Sequence, residues 1–141
     1  MTDLQSDGRD LSRCIELALS DAGLDPAQID HISGHGSSTQ QNDKNETKAV
    51  KSVFGEHTRR IPVNSLNSMT GHALAAANAI EAVALCLEIQ RQIIHPTINQ
   101  LTPECDLDYV AQSARQSAIR AAVKLSSGFS GIHSVFVLKA A

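Results

Sequence analysis

His35 and His72 are the residues of this 141-residue chain best suited to chemistry. Each lies beside glycine where a strand or loop ends, His35 in Gly-His-Gly-Ser-Ser-Thr and His72 in Ser-Met-Thr-Gly-His. A histidine among glycines has little backbone bulk around it and can face a cavity. Its donor and acceptor roles are easily tuned near neutral pH. The plain alternative, for either one alone, is a capping or core side chain. A metal site is not expected: His-x-x-x-His and Cys-x-x-Cys spacings are absent, and His31, His57, His95 and His133 are scattered. Cys14, Cys86 and Cys105 are odd in number and far apart, as in a cytoplasmic protein with reduced thiols. Cys14 and Cys86 fall on apolar helix faces, where a thiol is a small hydrophobe, so neither reads as a nucleophile.

The elements that must carry these residues follow from periodicity. Leu11, Cys14, Ile15, Ala18, Leu19 and Ala22 recur at helical spacing after Asp10, and Gly23 followed by Pro26 ends the run. Residues 29–33 read as a short strand leading into His35. Asn42 or Asp43 can cap a second helix, with Glu46 near its start, Ala49, Val50, Val53 and Phe54 on one face, and Gly55 after it. Residues 61–65 read as another strand. A third helix, from Ala73 to about Gln92, is apolar nearly all round and is expected to be buried on most sides. After an irregular stretch from Thr97 to Asp106 that contains Pro103, two strands at 118–125 and 134–138 flank a glycine-containing turn. The alternation predicts an α/β fold, a mixed sheet with helices on its faces.

Composition narrows the function. Apolar residues make up 42 % of the chain, enough for a core, whereas aromatic residues make up only 3 %. Twelve Lys and Arg against fifteen Asp and Glu give a net charge of −3, which argues against nucleic acid as a partner. No apolar run is long enough to cross a bilayer, since Asn78, Glu81 and Glu88 interrupt the longest one, and the first ten residues lack the pattern of a signal peptide. These features together predict a cytoplasmic location.

Several runs then resemble one family. His35-Gly-Ser-Ser-Thr39, followed by Asn42-Asp43-Lys-Asn-Glu46-Thr47, is similar to the HGTST…NDxxET run of β-ketoacyl-acyl-carrier-protein synthases. Ser68-Met-Thr-Gly-His72, continuing to Glu81, resembles their KSMTGH segment. Pro96-Thr-Ile-Asn99 resembles PPTIN, the run from Cys105 to Val110 resembles CDLDYV, and Gly128-Phe-Ser-Gly131 stands where GFGG does. The order and spacing match β-ketoacyl synthase II and the type II polyketide ketosynthases. The resemblance covers the whole chain, with Met1-Thr2 falling on an internal Met-Thr, but only about the last third of a family member. It implies a thiolase-like fold. Residues 1–141 would be a ketosynthase C-terminal domain lacking the N-terminal half and the first strand of the C-terminal half.

The implied activity is decarboxylative Claisen condensation of acyl and malonyl thioesters in fatty acid or polyketide synthesis, with the nucleophilic cysteine on a partner chain. By resemblance, His35 and His72 support malonyl decarboxylation, and Phe129 gates the site and gives its N–H to the oxyanion hole. Ser37 and Thr39 would bind phosphopantetheine. No cofactor is held covalently, because substrate arrives on the phosphopantetheine of an acyl carrier protein. The implied partners are that carrier and an N-terminal ketosynthase half or companion subunit. Asn67 replaces the family lysine that pairs with the helix glutamate, here Glu81, so Glu81 is expected to lack its cation. Ala75 and Asn78 replace glycines. These departures keep open a non-catalytic, structural or pseudo-enzyme reading.

Overall fold

The computed structural model describes residues 7–102 and 105–141; the Met1-Thr2 correspondence and Pro103 lie outside them. Among the described residues there are four α-helices, α1 (Arg9–Ala22), α2 (Gln40–Phe54), α3 (Asn67–Thr70) and α4 (Ala77–Arg91). The strands are β1 (His31–Ser33), β2 (Pro62–Asn64), β3 (Ile93–Ile94), β4 (Asp108–Tyr109), β5 (Arg115–Gln116), β6 (Ala121–Ser127) and β7 (His133–Lys139). Five of them form a mixed sheet in the order β4-β2-β1-β6-β7, in which only the β6–β7 pair is antiparallel. β3 and β5 pair separately.

The sheet is covered on both faces, which explains the unbroken burial of the first five residues of β6, Ala-Ala-Val-Lys-Leu. On one face, Leu11, Ile15 and Leu19 of α1 and Ala49, Val50 and Phe54 of α2 pack on Ile32, Val63, Val123 and Leu125. On the other, Leu85 and Ile89 of α4 pack with Ile94, Val110, Ile119 and Ala122. Full burial of each Leu, Ile or Val side chain contributes about 1.5–3 kcal/mol, so the two clusters dominate the fold.

Three expectations need correction. α2 begins before Asn42, with Thr39 at its N-cap; Asn42 is buried inside the helix, where its amide donates to Glu46 and Asp43 rather than capping. The third predicted helix divides into α3, a 3₁₀ turn at Leu74–Ala76, and α4. α4 is not buried on most sides: Ile80, Val83, Cys86 and Leu87 are exposed, so Cys86 does not pack as a small hydrophobe. None of the helices among the described residues is long and apolar enough to cross a membrane.

Candidate active site

The segment from Gly34 to Gly36 leaves the end of β1 and is held mainly by one carboxylate. Glu46 of α2 accepts the main-chain N–H of His35 on Oε1 at 2.7 Å and that of Gly36 on Oε2 at 3.0 Å. The Asn42 amide donates to the same carboxylate at 3.3 Å. Burial pushes the Glu46 carboxyl pKa up, while the two main-chain donors and the Lys124 charge pull it back. The glycines are required by this packing. A Cβ at Gly34 would lie 2.7 Å from Glu46 Oε1, and one at Gly36 would lie 2.5 Å from Ser65 Cβ, with φ at +47°.

β2 and α3 bring the second half of the site. The Ser65 N–H donates to Thr97 Oγ1 at 3.0 Å, and the Ile98 N–H donates to Ser68 Oγ at 3.0 Å, so the Pro96–Asn99 run braces the approach to α3. Asn67 donates its amide to the His35 carbonyl at 2.8 Å. Gly71 then ends α3, and the chain delivers His72 against His35.

The two rings meet edge to face, with centroids 5.1 Å apart. His35 is buried and His72 is exposed. Nδ1 of His35 has no hydrogen-bond partner among the described residues. Burial, then the Lys124, His72 and His133 charges, lower the His35 pKa from 6.5 to about 4, so its imidazole is uncharged at neutral pH. Ser37 and Thr39 are neighbours, their hydroxyls 3.2 Å apart. A cavity of about 600 Å³ is lined in part by Ser37, Ser65, Asn67, Ser68 and His72. Phe129 lies on the β6–β7 turn and is 71 % exposed, away from any packed core. Asn78 accepts a hydrogen bond from Ser126 at 2.9 Å, tying α4 to β6 where a glycine could not.

The expectation for Glu81 is overturned. Glu81 is buried on α4, but it has a cation: Lys124 Nζ lies 2.8 Å from its Oε2. This is a close ion pair outside hydrogen-bond alignment, since neither Glu81 oxygen has an aligned donor among the described residues. Lys124 lies forty-three residues from Glu81, and nothing local in the sequence pairs the two. Its signal was a lysine inside an otherwise apolar strand run.

A second buried network also escaped the sequence. His31 donates from Nδ1 to the Pro62 carbonyl at 2.9 Å, and its Nε2 lies 3.2 Å from Glu88 Oε2. Glu88 Oε1 accepts from Asn64 Nδ2 at 2.7 Å and from the His95 N–H at 2.9 Å. Burial raises the Glu88 pKa, but the His31 bond and the two histidine charges outweigh it and leave it below the ordinary value. The network ties β1, β2 and α4 together. No cluster of three or more potential metal ligands occurs among the described residues.

Comparison with known proteins gives the family. Residues 1–101 match the family model described as "Beta-ketoacyl synthase, C-terminal domain". The chain belongs to this family. It is 41 % identical over 140 residues to the tetracenomycin polyketide synthase ketoacyl synthase alpha subunit of Streptomyces glaucescens, covering 98 % of this chain and 33 % of that protein. With 3-oxoacyl-[acyl-carrier-protein] synthase 2 of Staphylococcus aureus it shares 42 % identity over 135 residues, covering 94 % and 34 %. A solved structure titled as a type II polyketide synthase acyl-carrier protein in complex with its ketosynthase bound to the hexaketide matches at 60 % identity and a TM-score of 0.97, over 100 % of this chain and 35 % of that one. The chain thus spans about a third of the length of the β-ketoacyl synthases it matches, and its fold is the thiolase-like fold of their C-terminal part.

Proposed function

We propose that this ketosynthase domain supplies the two histidines of a β-ketoacyl synthase whose nucleophilic cysteine lies on the N-terminal half or on a companion subunit. The supporting observation is the pair His35 and His72, two imidazoles edge to face, with the His35 segment held by its glycines and Glu46.

In this reading the partner's thiolate attacks an acyl thioester delivered by the carrier protein, and the carrier thiol leaves. Malonyl thioester then loses carbon dioxide, and the C–C electron pair passes into an enolate. The N–H groups of His35 and His72 donate to the enolate oxygen as charge develops. The enolate carbon attacks the acyl-enzyme carbonyl, the C–C bond forms, and the cysteine thiolate departs. Phe129 contributes its N–H to the oxyanion hole and its ring to the gate. The hydroxyls of Ser37 and Thr39 hold the phosphopantetheine arm of the acyl carrier protein. The exposed Ile80, Val83 and Leu87 face of α4 receives the remainder of the synthase. The product is a β-ketoacyl thioester for polyketide or fatty acid synthesis in the cytoplasm.

The non-catalytic alternative rests on Asn67 and on Ala75 and Asn78 at the glycine positions; Lys124 beside Glu81 weighs against the part of it in which Glu81 lacks a cation. The test is carbon dioxide release from malonyl carrier protein by the domain assembled with an N-terminal half carrying the cysteine, with mass spectrometry of the acylated thiol. Loss of one oxyanion donor slows such steps by roughly 10²–10³. His35→Ala and His72→Ala should each slow decarboxylation by that amount and spare acyl loading. A stable complex without decarboxylation, or equal rates in wild type and both variants, would defeat the reading.

A further inference from the structure

One buried cation of the sheet reaches the segment that carries His35. Lys124 is fully buried at the centre of β6, in parallel register with Ser33, the residue before the Gly34–Gly36 segment. Its ammonium contacts Glu81 and lies 3.4 Å from the Gly34 carbonyl, and it donates to the Leu125 carbonyl as well. Asn67 donates to the next carbonyl, that of His35. The peptide that carries His35 is therefore gripped at two successive carbonyls by Lys124 and Asn67, and at two successive N–H groups by Glu46.

We propose that Lys124 is a positioning residue of the histidine pair: paired with Glu81, its buried ammonium fixes the Gly34–His35 peptide and thereby the place of the His35 ring. The proposal extends the ketosynthase reading. In that arrangement Asn67 and Lys124 divide between two elements what one lysine at position 67 would otherwise do, and Asn67 becomes free to hold the His35 carbonyl. Titratable groups act on His35 from the neighbouring elements: Lys124 from β6, His133 from β7 and His72 after α3 through their charges, and Glu46 from α2 through the His35 N–H, while Glu81 of α4 reaches it only through Lys124. Burial is the largest influence on the His35 pKa and Lys124 the next, ahead of His72 and His133. Burial in turn lowers the Lys124 pKa, and the Glu81 and Glu46 carboxylates oppose that shift and favour the charged ammonium. An ammonium near an imidazole disfavours the imidazolium, because two like charges repel.

The test uses the assembled synthase with ¹⁵N-labelled histidine. The imidazole titration of His35 is followed by NMR, and malonyl decarboxylation is measured against pH, in Lys124→Arg, Lys124→Met and Lys124→Met/Glu81→Gln. The double variant removes both charges at similar volume, a change that buried pairs commonly tolerate when loss of one partner is not. The expected result is a His35 midpoint that stays near 4 in Lys124→Arg and rises measurably above it in the double variant, while burial keeps it below 6.5. The acid limb of the decarboxylation profile should climb with it. A midpoint in the double variant equal to wild type overturns the proposal, as does a lower rate with an unmoved acid limb, which is what a purely structural lysine gives. Absence of decarboxylation in wild type would strike the ketosynthase reading alone, because the NMR midpoint still judges Lys124.

Discussion

Glu46 reaches back from α2 to take the main-chain N–H of His35 at 2.7 Å, although eleven residues of sequence separate them. The contact makes α2 the anchor of the site rather than only a core helix. It also explains why Asn42 and Glu46 are buried on the first turns of a helix whose middle carries the apolar face. Replacing Glu46 by alanine leaves the His35 and Gly36 donors unpaired, at about 1–3 kcal/mol for each buried donor. Glu46→Gln retains an acceptor oxygen and should cost less. Thermal melting of the assembled protein ranks the two variants, and decarboxylation should fall further in Glu46→Ala than in Glu46→Gln.

Restoring a lysine at position 67 should now do harm. Asn67 and Lys124 grip adjacent carbonyls, so Asn67→Lys brings a second ammonium to a peptide that already holds one. A lower melting temperature is expected, with recovery in Asn67→Lys/Lys124→Met, where a single cation remains for Glu81. A higher melting temperature in Asn67→Lys alone would show that the peptide accommodates both charges.

Gly36→Ala and Gly23→Ala separate strain at the site from strain elsewhere. Both glycines have left-handed backbones, φ +47° and +64°, but an added Cβ meets Ser65 only at Gly36 and nothing within 4 Å at Gly23. The left-handed conformation alone costs roughly 1–2 kcal/mol for a non-glycine residue. Gly23→Ala should lower the melting temperature and leave decarboxylation intact. Gly36→Ala should lower both.

Acid should destabilise the protein in two windows. His35 titrates at about 4 when folded against 6.5 ordinarily, so the unfolded chain binds the extra proton between these values. Its contribution to stability is present above pH 6.5 and is lost as pH falls toward 4. Glu88, with a folded pKa below its ordinary 4.5, loses its contribution as pH falls from 4.5 through that lower value. Glu46, whose folded pKa is raised, works in the opposite sense and gains stability as pH falls through its raised value. Denaturant midpoints against pH should therefore flatten between 6.5 and 4 in His35→Gln, and below 4.5 in Glu88→Gln.

The sequence showed some of this plainly. Leu11, Ile15 and Leu19 at four-residue spacing with Gly23 behind them define α1, and the glycine turn between two apolar runs defines the β6–β7 hairpin. The motifs around His35 and His72 made their convergence legible. Long-range polar partners were not legible. Nothing local ties Lys124 to Glu81, or His31 to Glu88 fifty-seven residues away, because such pairs are set by strand order and helix placement. β3 and β5 span two residues each, too few to show a period. Asn42 read as a cap because its type favours caps, whereas its amide serves Glu46.

Lys124 has one more consequence, which follows from the alternation of β6. Ala121, Val123 and Leu125 face the α1–α2 layer, while Ala122 and Lys124 face α4. A slip of one residue in pairing with β1 would turn Lys124 into the cluster around Ile15, Ile32 and Val50, and Glu81 would be left on the opposite side. An ammonium stranded among aliphatic side chains, and a carboxylate stranded with it, would each cost several kcal/mol. Alanine and valine on either side could exchange faces at little cost, so they would not guard the register. The buried ion pair therefore penalises a β1–β6 pairing shifted by one residue and fixes the register that sets Lys124 beside the Gly34 carbonyl.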